Sequence, residues 1–166
     1  RTSYSLNQLI AMVDSLLAGR CAEYLLAGES IGDITTGASN DLERATEILK
    51  QIATKWGFSQ TLGLKVVKES QAISMFLGGS EQGGNMSPET EYKLEQEIKE
   101  WLADREAYVI KTLKKHWEDV EKASEILIKK ETLDDAELAE IWSDIIDEYS
   151  DKPFQTPKPF DREINA

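Results

Sequence analysis

The chain has 166 residues, a formal net charge of −12, a single cysteine and a single histidine. That length is enough for one domain with a real core. The acidic balance disfavours nucleic acid, whose binding needs clustered Lys and Arg, and docking on anionic lipid; the apolar runs are too short to span a bilayer.

Residues 1–5 read as a short lead-in without the basic-then-apolar pattern of a secretory leader. Ser5 with Gln8 fits a capping box. Leu6, Leu9, Ile10, Val13, Leu16, Leu17, Cys21 and Leu25 then form one apolar stripe at helical spacing. This predicts a helix to about Ala27, closed by Gly28. Gly19 inside it costs helix stability, which a close helix crossing would explain. Cys21 reads as a small core residue; a lone cysteine excludes an internal disulfide and fits a reducing compartment. Arg20 and Glu23 are placed to pair across the surface or to brace the loop that follows.

Glu29 to Ser39 is a polar loop, and Thr35-Thr36-Gly37-Ala38-Ser39-Asn40-Asp41-Leu42-Glu43-Arg44-Ala45-Thr46 joins it to the next helix. Asn40 is a good N-cap, with Glu43 in capping-box position. Leu42, Ala45, Ile48, Leu49, Ile52 and Trp56 recur at helical spacing and are expected to pack, with the helix ending near Lys55-Trp56 and Gly57 as its C′ residue. Asp41 falls in the first turn, where free N–H groups and the helix dipole favour an anion. On these facts alone Asp41 reads as a capping carboxylate. A held, ionised carboxylate is also what a metal ion takes as a ligand.

Residues 63–67 are readable as a short extended segment, and Gly78, Gly79, Gly83 and Gly84 as a flexible stretch. A phosphate cradle there lacks the Lys-Ser or Lys-Thr that would complete it. Ser87-Pro88 is a helix start, an N-cap serine followed by proline at the first position. Tyr92, Leu94, Ile98, Trp101, Leu102, Tyr108, Val109 and Leu113 predict a long amphipathic helix, bending near Lys114-Lys115-His116 before Trp117, Val120, Ala123 and Ile126-Leu127 resume the pattern. His116, among lysines, reads as a solvated or packing histidine rather than a metal ligand. A last helix is expected over Leu133–Ile146. Between Glu131 and Asp151 stand nine acidic residues and no Lys or Arg, a solvated face without the D-x-D-x-D-G pattern of a calcium loop. Residues 150–166, with Pro153, Pro157 and Pro159, form a polar tail. The fold class expected is all-α, about five helices around a loop-helix junction at 35–46.

The run TTGASNDLERATEI, Thr35 to Ile48, resembles the signature of the FtsH family of ATP-dependent zinc metalloproteases. Leu17-Ala18-Gly19-Arg20-Cys21-Ala22-Glu23 resembles its L-G-G-R-x-A-E-E segment, with Tyr24 where the family usually has a second Glu. Trp56-Gly57-Phe58-Ser59 with Leu62-Gly63, then Phe76-Leu77-Gly78, Met86-Ser87 with Glu89-Thr90, and Lys130-Glu131-Thr132-Leu133-Asp134 follow in family order. A long junction with ordered satellites is far more specific than a lone glycine motif.

The resemblance implies that residues 1–149 are the C-terminal part of a peptidase domain. It implies zinc held by two His of an H-E-x-x-H helix and by Asp41, with Thr35, Thr36, Gly37, Ser39 and Asn40 shaping the loop that presents it, and Glu23 and Arg20 as supporting neighbours. H-E-x-x-H and the phosphate-binding loop of the family's ATPase module do not occur in this sequence. The chain alone is therefore expected to be inactive, and ATP is expected only through a module elsewhere. The implied partners are copies of itself in a hexameric ring and unfolded or membrane-protein substrates, with no nucleic acid and no direct membrane contact. The implied setting is a soluble domain of a membrane-anchored protein at a bacterial, mitochondrial or chloroplast membrane. The alternative is a free-standing, catalytically inactive interaction or assembly module.

Overall fold

The computed structural model describes residues 3–67, 86–132 and 134–143. Among them are five α-helices: α1 (Leu6–Leu26), α2 (Ser39–Thr54), α3 (Pro88–Lys115), α4 (Trp117–Lys130) and α5 (Asp135–Ile141). The all-α expectation holds. No described helix is long and apolar enough to cross a membrane. The glycine stretch at 78–84, the end of the last expected helix and the proline-containing tail lie outside the described residues.

Local chemistry sets most helix ends. Ser5 Oγ accepts the Gln8 N–H at 3.2 Å while Gln8 Oε1 accepts the Ser5 N–H at 2.8 Å, which satisfies two donors at the start of α1 reciprocally. At its other end Gly28 N–H donates to Leu25 C=O and Glu29 N–H to Tyr24 C=O. This pattern of a paired C-terminal turn requires a left-handed residue, supplied by Gly28 at φ +67°. Ser87 caps α3 through the Thr90 N–H, with Pro88 opening the helix. At His116 the chain breaks: its N–H closes α3 on Thr112, and its carbonyl accepts from Asp119 and Val120 of α4. The expected bend is therefore a full helix boundary. Asp134 and Glu137 form a capping box that starts α5, and Glu137 also pairs with Lys130 at the end of α4.

Helices α1, α2 and α3 pack on one another, and α5 packs on α4. The core is Leu9, Ile10, Val13, Leu17 and Cys21 from α1, Ala45, Leu49, Ile52 and Ala53 from α2, and Leu94, Ile98, Trp101 and Val109 from α3. Burying such side chains contributes about 1.5–3 kcal/mol each for the larger ones. Four expectations are corrected. Trp56 is 40% exposed instead of packed, because α2 ends at Thr54 and the chain turns away there. Leu42 is likewise exposed at the opposite end of α2. Residues 63–67 form a turn and an irregular segment instead of a strand. A Cβ added at Gly19 meets nothing within 4 Å, so no close crossing explains that glycine.

Cys21 is the core residue expected, 2% exposed. Burial, reinforced by the negative charge of Glu106, pushes its thiol from 9.0 up to about 11. The folded thiol stays neutral over a range where the unfolded one ionises. Its contribution to stability is therefore intact below pH 9.0 and lost as pH rises through about 11. At pH 8 a thiol reagent is expected to label Cys21 only at the rate at which the chain unfolds, a rate that added denaturant raises. Prompt labelling of native chain contradicts this.

Candidate metal-ligand loop

The loop between α1 and α2 contains two short 3-10 turns, Ile31–Asp33 and Thr36–Ala38. Thr35, extended at φ −82° and ψ 164°, begins the second turn and accepts the Gly37 N–H through its hydroxyl oxygen at 3.3 Å. That same residue is gripped from α1. Glu23 accepts the Thr35 N–H at 3.2 Å and the Thr35 hydroxyl at 3.0 and 3.1 Å. One carboxylate thus satisfies both donors of one residue, with the extra strength of an ionised acceptor. Gly37 has a reason to lack a side chain: a Cβ there lies 3.3 Å from the Thr35 hydroxyl oxygen.

The 3-10 turn runs straight into α2. Ser39 is already helical at φ −61° and ψ −41°, and its N–H donates to Thr36 C=O. This corrects the expectation that Asn40 caps the helix. Its N-cap is Ala38, with no side-chain bond. Thr35 takes the capping task earlier, at the 3-10 turn, so Ser39 and Asn40 fall inside the first turn of α2 rather than in the loop. Asp41 lies in that first turn, as expected, and is half-buried.

Glu23 is therefore a brace of the loop, the second of the two roles open to it. Arg20, one turn earlier, forms no ion pair with Glu23 among the described residues. Asp41 forms no hydrogen bond or ion pair among the described residues either. His116, at the α3–α4 boundary, is half-buried. Among the described residues no three His, Cys, Asp or Glu side chains converge where a metal ion could be held. One oxygen donor does not hold zinc, which takes three protein ligands in a catalytic site. The described residues by themselves therefore do not make such a centre.

Helical periodicity does not reveal the tertiary polar links, among them the Lys114–Glu29 ion pair and two that tie α3 to its neighbours. Arg105 of α3 donates to Asp14 of α1 through Nε at 2.7 Å and a terminal nitrogen at 2.6 Å, and its guanidinium lies 4.2 Å from the Tyr108 ring centroid. Glu97 of α3 accepts from Ser59 and its neighbours. A signal for the Arg105–Asp14 link was available: Asp14 and Arg105 interrupt apolar stripes with opposite charge, at positions whose helical neighbours Ile10, Leu17, Trp101 and Val109 are buried.

The family model described as peptidase family M41 matches residues 1–141. The ATP-dependent zinc metalloprotease FtsH of Helicobacter felis is 37% identical over 138 residues, 83% of this chain and 21% of the relative. Human ATP-dependent zinc metalloprotease YME1L1 is 37% identical over 131 residues, 79% of this chain and 15% of the relative. FtsH of Photobacterium profundum is 33% identical over 144 residues, 86% of this chain and 20% of the relative. The chain spans 15% to 23% of the length of the curated relatives it matches.

Proposed function

The chain belongs to peptidase family M41, and on that premise we propose that it supplies the Asp41 side of a zinc metallopeptidase centre. The observation that carries this reading is the half-buried Asp41 carboxylate in the first turn of α2, behind a loop that Glu23 pins to α1 through Thr35. Free N–H groups at that helix end favour an anion there. Two histidines and a general-base glutamate from chain outside this sequence complete the centre. Water activation for peptide hydrolysis is the chemistry a zinc ion supplies in such a centre.

Within this chain, Glu23, Thr35 and Gly37 fix the path of the loop, while Thr36, Ser39 and Asn40 carry it into α2. The relatives are named ATP-dependent zinc metalloproteases, which supports coupling to an ATP-driven module; unfolded or membrane-protein substrates are part of the same proposal. A hexameric ring and a membrane-anchored parent complete the reading.

Zinc titration tests it. The chain by itself is expected to take up no stoichiometric zinc against a chelating dye and to leave casein uncut. Carried in a polypeptide that also has an H-E-x-x-H helix, it is expected to hold one zinc per subunit and to cut casein until a chelator is added. Tight one-to-one binding by the chain alone would overturn the assignment.

A further inference from the structure

The segment leaving α2 folds back on the bundle through a turn at residues 60–64. Glycines with positive φ stand at both ends of it, Gly57 at +74° and Gly63 at +59°, a conformation that residues with a Cβ rarely adopt. Ser59, between them, is completely buried. A single carboxylate of α3 gathers this strap. Glu97 accepts the Ser59 hydroxyl at 2.6 Å, the Gln60 N–H at 2.6 Å and the Thr61 N–H at 3.4 Å. The Ser59 hydroxyl oxygen in turn accepts the Leu62 N–H at 3.0 Å, and the Ser59 carbonyl accepts the Gly63 N–H at 2.9 Å. The Ser59 hydroxyl and the N–H groups of Gln60, Thr61, Leu62 and Gly63 are thus satisfied within the strap or by one acceptor that lies 36 to 38 residues away in sequence.

We propose that Glu97 is a latch: it holds the strap Gly57–Gly63 against α3, and the strap opens and closes as one unit hinged at its two glycines. Bonds to an ionised acceptor are stronger than neutral ones, and the completely buried Ser59 hydroxyl is costly to leave without its acceptor. Loss of the Glu97 charge therefore acts on the strap as a whole. Phe58 and Leu62 pack against the core from its edge, whereas the fully buried core residues all belong to α1, α2 and α3. Opening uncovers Phe58, Ser59 and Leu62 and leaves the three helices packed. The latch is independent of the metal-ligand assignment, since it stands near the far end of α2 from Asp41.

Native-state hydrogen exchange on the whole chain tests this. In Glu97→Gln, which keeps the size of the side chain, the amides of Gln60, Thr61 and Leu62 are expected to exchange roughly tenfold faster or more. The amides of Val13 and Ile98 are expected to keep their rates. Ser59→Ala, which removes the buried donor, is expected to accelerate the same strap amides by a smaller factor. Strap exchange that is unchanged, or that rises by the same factor as Val13 and Ile98, overturns the proposal. A Glu97→Gln chain that fails to fold overturns it as well, because a latch confined to the strap leaves the helices intact.

Discussion

Replacing Arg105 with alanine is expected to lower the unfolding free energy by about 3–5 kcal/mol, out of the roughly 5–15 kcal/mol that holds a domain folded. The Arg105 side chain is 4% exposed and that of Asp14 17%, so water screens the pair far less than a surface ion pair. Two parallel hydrogen bonds between guanidinium and carboxylate add geometry to charge. Removing the arginine leaves the Asp14 carboxylate in the α1–α3 interface with no cation and removes the Tyr108 stacking partner as well. The measurement is a urea transition, with the midpoint falling at unchanged slope. A loss below about 1 kcal/mol would place the pair among ordinary surface bridges and contradict this account. Asp14→Leu combined with Arg105→Met is expected to recover most of the loss, since well-packed apolar pairs often replace buried ion pairs at little cost. That recovery would show that the pair matches α1 to α3 more than it adds net stability.

Asp41→Ala is expected to abolish zinc uptake and peptidase activity in the polypeptide that carries the whole centre, by at least about a hundredfold, since losing even a partner of a ligand costs about 10–100-fold. The same change touches the fold little. Asp41 gives α2 a first-turn carboxylate worth about 0.3–1 kcal/mol, and it holds no partner among the described residues. Activity and stability thus separate when stability is read without metal: zinc content by mass spectrometry of the native protein falls, while the unfolding midpoint of the zinc-free chain stays nearly in place. Glu23→Ala is expected to lie between, with zinc affinity reduced about 10–100-fold through the loosened Thr35 turn. Its fold should persist, because Glu23 bonds only to the loop among the described residues. Full zinc uptake in Asp41→Ala would show that this carboxylate is no ligand.

Much of this is legible in the sequence. The capping pair Ser5 and Gln8, the Ser87-Pro88 start and the Gly28 stop are local devices, each decided within a few residues of chain. The apolar period of α1 and α3 marked the faces that form the core. Where the reading failed, a neighbouring element had intervened. Asn40 has good capping chemistry, yet the 3-10 turn begun by Thr35 delivers Ser39 to the helix already formed. Trp56 continues the α2 period, yet α2 stops before it and the periodicity no longer applies.

The sequence by itself determined the helical class, the starts of α1 and α3 and the family-like junction that carries Asp41, because each depends on a short run of neighbouring residues. The tertiary structure alone decided which polar groups meet. Arg105 and Asp14 are 91 residues apart, Glu97 and Ser59 38, and Thr35 and Glu23 12. A helical period fixes the face on which a side chain stands. What it meets there depends on how the helices cross and where the loops return, and those are properties of the packed bundle.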